Sequence, residues 1–421
     1  MNAFDFLVVM TFTSVGVIHP SLAALVNAAR MSMTREGLHL RFNSCAVSFM
    51  QRCVEFILKQ KVNSMVAINS HLLNRFKSIK IFDSTSWDIN PLLSTVFPGC
   101  GGNASNANCK IQLCYEYLSA SLTFFDITSG NKPDSGYTAQ VPKHINAGEL
   151  LLADLGYFST KSFNRIVKNS AYFLSRFFVT TTMYDAKTKK RIDLKHILKK
   201  AVNNAYELDV VLGAEEKNQV RCRLICLRVS DEIAQIRRRK LRRNAAKKKK
   251  NVTEERMYMA GWTLLVTNIP NEWLPAEKVR DLYSLRWQIE LLFKQLKSVL
   301  CIQKTSTTKE DRFRCEVLGK LIVAILIHRI HSQINCDYWN NKQQEISMDK
   351  LYKRIKERAF LFSEMLIISL SKAISYLKTE LERVLKDCIK ISQKSRLTTL
   401  QKLDCKTYER YVEKLDTEAL T

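Results

Sequence analysis

The stretch from Asp281 to Leu300, DLYSLRWQIELLFKQLKSVL, constrains this chain more than any other. It has no Gly or Pro and many strong helix formers, so it is expected to be one helix. At about 100° per residue, Tyr283, Arg286, Glu290 and Lys297 fall within an arc of roughly 60°. Leu282, Leu285, Ile289, Leu292, Phe293 and Leu296 fill a separate apolar arc. One face therefore packs on a core while a neighbouring stripe presents a carboxylate flanked by two cations and a phenol. Taken alone, the pattern also suits an amphipathic helix whose Arg286 and Glu290 form an ordinary i,i+4 ion pair.

Bulk composition narrows the classes. A chain of 421 residues with 46% hydrophobic residues can bury a large core, in more than one domain or in one domain with a large insertion. Lys and Arg outnumber Asp and Glu by 66 to 40, a formal charge of +26, which suits a polyanion such as nucleic acid. The twelve Cys contain no CxxC pair and no zinc-spaced Cys/His cluster, so reduced thiols in a cytoplasmic protein are expected. The apolar start AFDFLVVMTFTSVGVI is short and lacks a basic n-region, and a second apolar run, LGKLIVAILIHRI, is short and carries charge, so no membrane span is expected. With twelve Gly in all and no phosphate-cradling loop, a P-loop or dinucleotide fold is not expected.

In chain order, SLAALVNAARM and the segment 46–58 show helical spacing, with a break at His19-Pro20-Ser21. Residues 78–82, SIKIF, read as a buried strand followed at once by Asp83, which is either a rigidly held ligand or the cap of a turn. Residues 110–117 and 119–128 read as two further strands. Residues 149–153, ELLLA, are a short strand ending at Asp154, a ligand or a turn cap. A helix over 160–168 and a strand in AYFLSRFFVTTT follow. The run 237–250 holds ten Lys or Arg in fourteen residues, among them Arg237, Arg238, Arg239, Lys240, Arg242 and Arg243. Such density is expected to be mobile when free and attractive to phosphates, or else a solvated loop. Trp262 opens the strand WTLLVTNIP, as a core residue or as an aromatic surface for an unstacked base. His328 and His331 lack a third ligand and read as packing residues. The segment SKAISYLKTELERVLKDCIKI has heptad-like spacing, suited to core docking or dimerisation.

Tyr283-x2-Arg286-x3-Glu290-x6-Lys297 resembles the YREK signature of DDE transposases of the insertion-sequence-four family. Asp83 in its Asp-Ser-Thr setting resembles the family's first catalytic Asp, and Asp154 with Gly156 and Tyr157 its second. Arg176, ending YFLSR, and Trp262 also fit, and the resemblance covers roughly 79–326. It implies an α/β fold: an RNase H-like mixed sheet flanked by helices, with a largely β insertion domain and helical N- and C-terminal regions. The implied division is a helical region 1–75 that binds the DNA end, core 76–183, insertion domain 184–261, core 262–335 and a helical region 336–421 that serves dimerisation.

The resemblance implies cut-and-paste transposition, with Asp83, Asp154 and Glu290 holding Mg²⁺ or Mn²⁺ for strand cleavage and strand transfer through a hairpin intermediate. Tyr283, Arg286 and Lys297 would grip DNA, joined by Trp262 and the basic run. The implied partners are double-stranded DNA, both terminal repeats and target, and a second copy of the chain, in a bacterial cytoplasm near the nucleoid. Two other readings share these residues. One is a remnant that binds DNA without cutting it. The other is a plain metal-dependent nuclease, for which the Tyr-Arg-Lys stripe would have no use.

Overall fold

The computed structural model describes all residues except 17–20, 29–32, 61–69, 71, 102–103, 248, 306, 343 and 391–421. The helices begin with α1 (Ala3–Val8), α2 (Ser14–Gly16), α3 (Leu22–Ala28), α4 (Arg35–Arg41) and α5 (Ser44–Lys59). They continue with α6 (Asp134–Tyr137), α7 (Thr160–Lys168), α8 (Leu194–Lys200), α9 (Asp231–Lys247) and α10 (Glu254–Met259). The last are α11 (Ala276–Ser284), α12 (Trp287–Ser298), α13 (Glu310–Lys342), α14 (Met348–Ile368) and α15 (Leu370–Cys388). Nine strands lie among the described residues: β1 (Ile79–Asp88), β2 (Asn108–Glu116), β3 (Ser121–Ser129), β4 (Leu150–Ala153), β5 (Tyr172–Arg176), β6 (Met183–Asp185), β7 (Ala205–Leu212), β8 (Val220–Arg228) and β9 (Trp262–Thr267). They hydrogen-bond in the order β3-β2-β1-β4-β5-β9-β8-β7-β6. The first five give the RNase H-like order that the sequence led us to expect, in an α/β fold with a mixed sheet.

The chain divides into two compact units. One comprises Ser70–Asp83 and Pro133–Arg286. Here β1 and β4 are parallel, pairing Ile79 with Leu150 and Phe82 with Ala153, and β4 and β5 are parallel in turn. All four residues of β4 are buried, as a parallel strand covered on both faces requires. β9 runs antiparallel to β5, and β8, β7 and β6 continue antiparallel, so the stretch after β5 adds strands to the same sheet. Helix α7 is capped by Ser159, whose side chain accepts from the Ser162 N–H, and its Phe163 stacks on Phe173 of β5 at 4.3 Å between centroids. Asn268 ties β5 to β9: its Oδ1 accepts from Phe173 N at 2.8 Å and its Nδ2 donates to Ala171 O at 2.9 Å.

The other unit comprises Met1–Asn69, Ser84–Lys132 and Trp287–Thr421. Its β2–β3 hairpin carries a register shift between Cys114 and Tyr115. Helix α13 is apolar around most of its circumference between Phe313 and Ile327 and is buried there, as such a helix must be. It packs against α5, β3 and the π-helical turn Val9–Thr13. Gly319 makes that last approach possible, since a Cβ there would stand 2.0 Å from Met10 O. His328 Nδ1 lies 3.0 Å from Ala120 O, with the rings of Tyr115 and Tyr352 both 5.7 Å away, and His331 Nε2 lies 2.8 Å from Ile346 O. Both histidines are buried packing residues.

Three sequence expectations need correction. The stretch 281–300 is not one helix, because α11 ends at Ser284 and α12 starts at Trp287. Ser284 Oγ donates to Asp281 O at 2.6 Å, and Leu285 and Arg286 reach back only three residues, to Leu282 O and Tyr283 O. Local side-chain bonding of this kind competes with the i−4 ladder and tightens the last turn. Asp83 does not cap a turn, because β1 runs through it to Asp88. The basic run is not a loose segment over 237–247, because α9 carries those residues as helix. Ala234 is buried, and Ile233, Arg237 and Leu241 are partly buried on the same stripe. Asp231 and Glu232 at the start and Lys247 at the end also suit the helix dipole. The break at His19-Pro20 lies outside the described residues, but Ser21 does cap α3, its Oγ accepting from Ala24 N at 3.1 Å. The end of the heptad-like segment and everything from 391 on also lie outside them.

Candidate active site

The β1–β4 register fixes the centre of the first unit. Phe82 pairs with Ala153, so the next residue on each strand, Asp83 and Asp154, leaves the paired stretch side by side. Neighbouring strands lie about 4.8 Å apart, close enough for two carboxylates to share one ligand. The β4–β5 register continues the row: Ala153 pairs with Ser175, and Arg176 follows. Its Nη1 stands 3.8 Å from Asp154 Oδ1.

Helix α11 and the turn after it bring two further groups to this row. The Tyr283 hydroxyl donates to Ala153 O at 3.2 Å and lies 3.3 Å from Asp154 Oδ1. Burial, reinforced by the charge of Asp154, pushes the Tyr283 phenol well above its ordinary value, so it remains a donor. Arg286 Nη1 donates to Asp83 Oδ2 at 3.2 Å, both side chains being largely buried. The Arg286 guanidinium also lies 6.0 Å from the Tyr283 ring centroid. Each carboxylate thus has its own cationic partner, Arg286 for Asp83 and Arg176 for Asp154, and Tyr283 bridges the ends of β4 and α11.

Glu290 and Lys297 belong to the second unit. Glu290 sits in the first turn of α12, where the helix dipole favours a carboxylate. Lys297 Nζ donates to Ser86 O of β1 at 2.9 Å, and partial burial lowers its pKa. Among the described residues, no three of His, Cys, Asp and Glu form a ready metal-binding group. The donor set of Asp83 and Asp154 nevertheless suits a hard divalent cation, because both offer carboxylate oxygens.

The remaining sequence candidates sort by exposure. Trp262 is 5% exposed, with the Arg228 guanidinium 5.0 Å from its ring centroid, so it is a core residue without an open face for a base. Trp287 is 57% exposed, and Leu291 one turn later is also exposed. The sequence reading passed over Trp287; the available signal was a large aromatic outside the apolar arc of its helix. On α9, Arg237 turns inward, Nη1 donating to Trp262 O at 3.0 Å and Nη2 to Thr263 Oγ1 at 3.1 Å. Arg238 is half-committed, its Nε donating to Met257 O at 3.1 Å. Arg239, Lys240, Arg242 and Arg243 are exposed.

Residues 74–326 match the family described as "Transposase DDE domain". The chain is 30% identical over 344 residues to the transposase for insertion sequence element IS231F of Bacillus thuringiensis subsp. israelensis, covering 78% of this chain and 72% of the relative. It is 30% identical over 382 residues to the transposase of IS231E from Bacillus thuringiensis subsp. finitimus, covering 86% and 77%. The transposase of IS1151 from Clostridium perfringens is 29% identical over 347 residues, covering 77% and 73%. The piggyBac transposase synaptic complex with hairpin DNA, solved by cryo-EM, is a distant likeness at TM-score 0.45 and 11% identity, covering 91% of this chain and 75% of that one.

Proposed function

The chain belongs to the DDE transposases of the insertion-sequence-four family, and from that premise we propose that it moves an insertion sequence by divalent-metal-dependent strand cleavage and strand transfer on double-stranded DNA. The observation that carries the reading is the Asp83–Asp154 pair on adjacent parallel strands, with Arg286 and Tyr283 bound to it. Asp83 and Asp154 would hold Mg²⁺ or Mn²⁺. Glu290 enters as the third ligand from its place in the Tyr283-Arg286-Glu290-Lys297 spacing. When bound, such ions activate an attacking oxygen and stabilise a leaving one.

The protein groups hold the DNA end. The planar Arg286 fork can grip a phosphate on two oxygens while leaving Asp83 within reach. The protonated Tyr283 phenol donates a hydrogen bond and keeps Asp154 in place. Lys297 adds a cation beside β1. The exposed indole of Trp287 suits an unstacked base better than the covered one of Trp262. In sequence, water cuts one strand at the element's end, the freed 3′-OH attacks the opposite strand to close a hairpin, water reopens it, and the 3′-OH attacks target DNA. Two ends require two copies of the chain, with the N-terminal helices on the DNA end and α14–α15 toward the second copy. Action on chromosomal DNA places the protein in the cytoplasm at the nucleoid. Among the described residues no helix is long and apolar enough to cross a membrane.

The test is a time course with a labelled terminal-repeat duplex and Mg²⁺, resolved on a denaturing gel. A nick followed by a hairpin-length product supports the full scheme. Double-strand cleavage without that product would remove the hairpin, and binding with no cleavage would leave the DNA-binding remnant as the better reading.

A further inference from the structure

Helices α8 and α9 each turn a pair of cations, spaced four residues apart, into one cleft. Lys195 and Lys199 come from α8, and Arg238 and Arg242 from α9. The cleft measures about 400 Å³, and Val252, Met257 and Tyr258 complete its apolar lining. The Tyr258 hydroxyl fixes α10 to α8 by donating to Leu198 O at 3.0 Å, and Arg238 Nε fixes α9 to α10 through Met257 O. The wall is therefore held by hydrogen bonds to backbone carbonyls rather than to carboxylates. Glu254 is the one carboxylate in the lining, against four cations.

That imbalance differs from the neighbouring β7–β8 ladder, where Arg221 pairs with Asp209 and Arg223 with Glu207. Among the described residues Lys195, Lys199 and Arg242 form no such pair. Like charges four residues apart on a helix disfavour it, and facing two such rows across a cleft adds to the cost. A bound polyanion would reverse both effects. Four residues of helix advance about 6 Å, so each row presents its cations at a spacing comparable to successive phosphates of one strand. The positive surface also extends to the carboxylates: Arg176 and Arg280 lie near enough to Arg237 to depress its pKa further, after burial, and Arg176 adjoins Asp154.

We propose that the α8–α9 cleft is a second DNA site, which takes the sugar-phosphate backbone of duplex DNA leading away from the Asp83–Asp154 centre along Arg176 and Arg280. It deepens the transposase reading and rests on it for the path of the DNA. Exposed Arg239, Lys240 and Arg243 extend the same field outward along α9.

The experiment measures binding of a labelled duplex, carrying the terminal repeat with flanking DNA on both sides, by fluorescence anisotropy between 50 and 200 mM salt. It compares wild type with Lys199→Ala/Arg242→Ala and with the charge-keeping Lys199→Arg/Arg242→Lys, and follows end cleavage in parallel. Two lost phosphate contacts should lower the slope of log K against log salt by about 1.8, so that the wild-type advantage falls about tenfold across that range. The charge-keeping variant should behave as wild type. Should the double alanine variant unfold on heating earlier than wild type, Lys195→Ala, confined to α8, is read for a slope lowered by about 0.9. Unchanged slope and affinity would overturn the cleft while cleavage leaves the transposase reading standing. Weakened binding by a chain that cleaves no end would uphold the cleft as a DNA site and overturn the transposase reading instead. Absence of duplex binding by the wild type would overturn the cleft itself.

Discussion

Helices α13 and α9 both carry charges at helical spacing, and they use them oppositely. In α13, Arg312 Nε donates to Glu316 at 2.7 Å and Lys320 Nζ to Cys301 O at 2.8 Å, with Glu316 and Lys320 buried. Burial raises the Glu316 pKa and lowers that of Lys320, so each depends on its partner to stay charged. Among the described residues, Arg237 and Arg238 of α9 have protein partners, and the outer cations Arg239, Lys240, Arg242 and Arg243 are exposed. Buried charges with fixed partners hold geometry, whereas exposed charges without them set a long-range field. The Arg286–Asp83 pair is of the first kind, whereas Arg176 beside Asp154 is half-exposed.

The largest effect is expected at Arg286. Arg286→Lys keeps the charge but loses the planar fork, and cleavage is expected to fall about 10²–10³-fold, the range for removing one directed donor at a reacting centre. A loss below about threefold in single-turnover cleavage would make Arg286 a mere counter-charge. Next in size is Gly319→Ala, which forces α13 away from Met10 O and is expected to cost about 1–3 kcal/mol. Urea unfolding reads this directly, and an unchanged midpoint would mean the approach is slack.

The buried histidines give a smaller, graded effect. Burial holds His328 at about 3 and His331 at about 4, against an ordinary value of 6.5. Below 6.5 the unfolded chain therefore binds protons that the folded chain refuses, so stability present above pH 6.5 is lost as pH falls toward 4. Thermal unfolding between pH 7 and 4.5 should show this decline, and His328→Gln should flatten it. A profile as steep in the variant as in wild type would place the acid sensitivity elsewhere. The smallest effect is at Arg239, exposed on α9. Arg239→Gln should leave unfolding within about 0.5 kcal/mol and lower the salt slope of duplex binding by about 0.9. A clear loss of stability would move Arg239 into the class of α13's charges.

Much of this architecture was legible because it follows periodicity. Alternating or continuous apolar runs marked β1, β2, β3, β4 and β9, and α7 spans 160–168 as read. Asp83 and Asp154 stood out as carboxylates directly after apolar strands, and register alone then makes them neighbours. What periodicity cannot carry was missed. The break after Ser284 comes from a side-chain bond to Asp281 O, which leaves the apolar arc intact. Helix α9 was hidden because its inward stripe of Ile233, Ala234, Arg237 and Leu241 is sparse within a charge run. An arginine serves that stripe by bonding to Trp262 O and Thr263 Oγ1, contacts distant in sequence. That Trp262 is covered while Trp287 is exposed depends in part on Arg228 over the Trp262 ring, which no local pattern states.

In the proposed function Asp83, Asp154 and Glu290 are the residues that cut DNA. The most direct test is Mg²⁺-dependent cleavage of a labelled terminal-repeat duplex by wild type and by Glu290→Gln at matched DNA occupancy. Wild type should nick the duplex and the variant should not, with duplex binding retained. Cleavage that survives Glu290→Gln would contradict this reading and would assign the chemistry to other carboxylates.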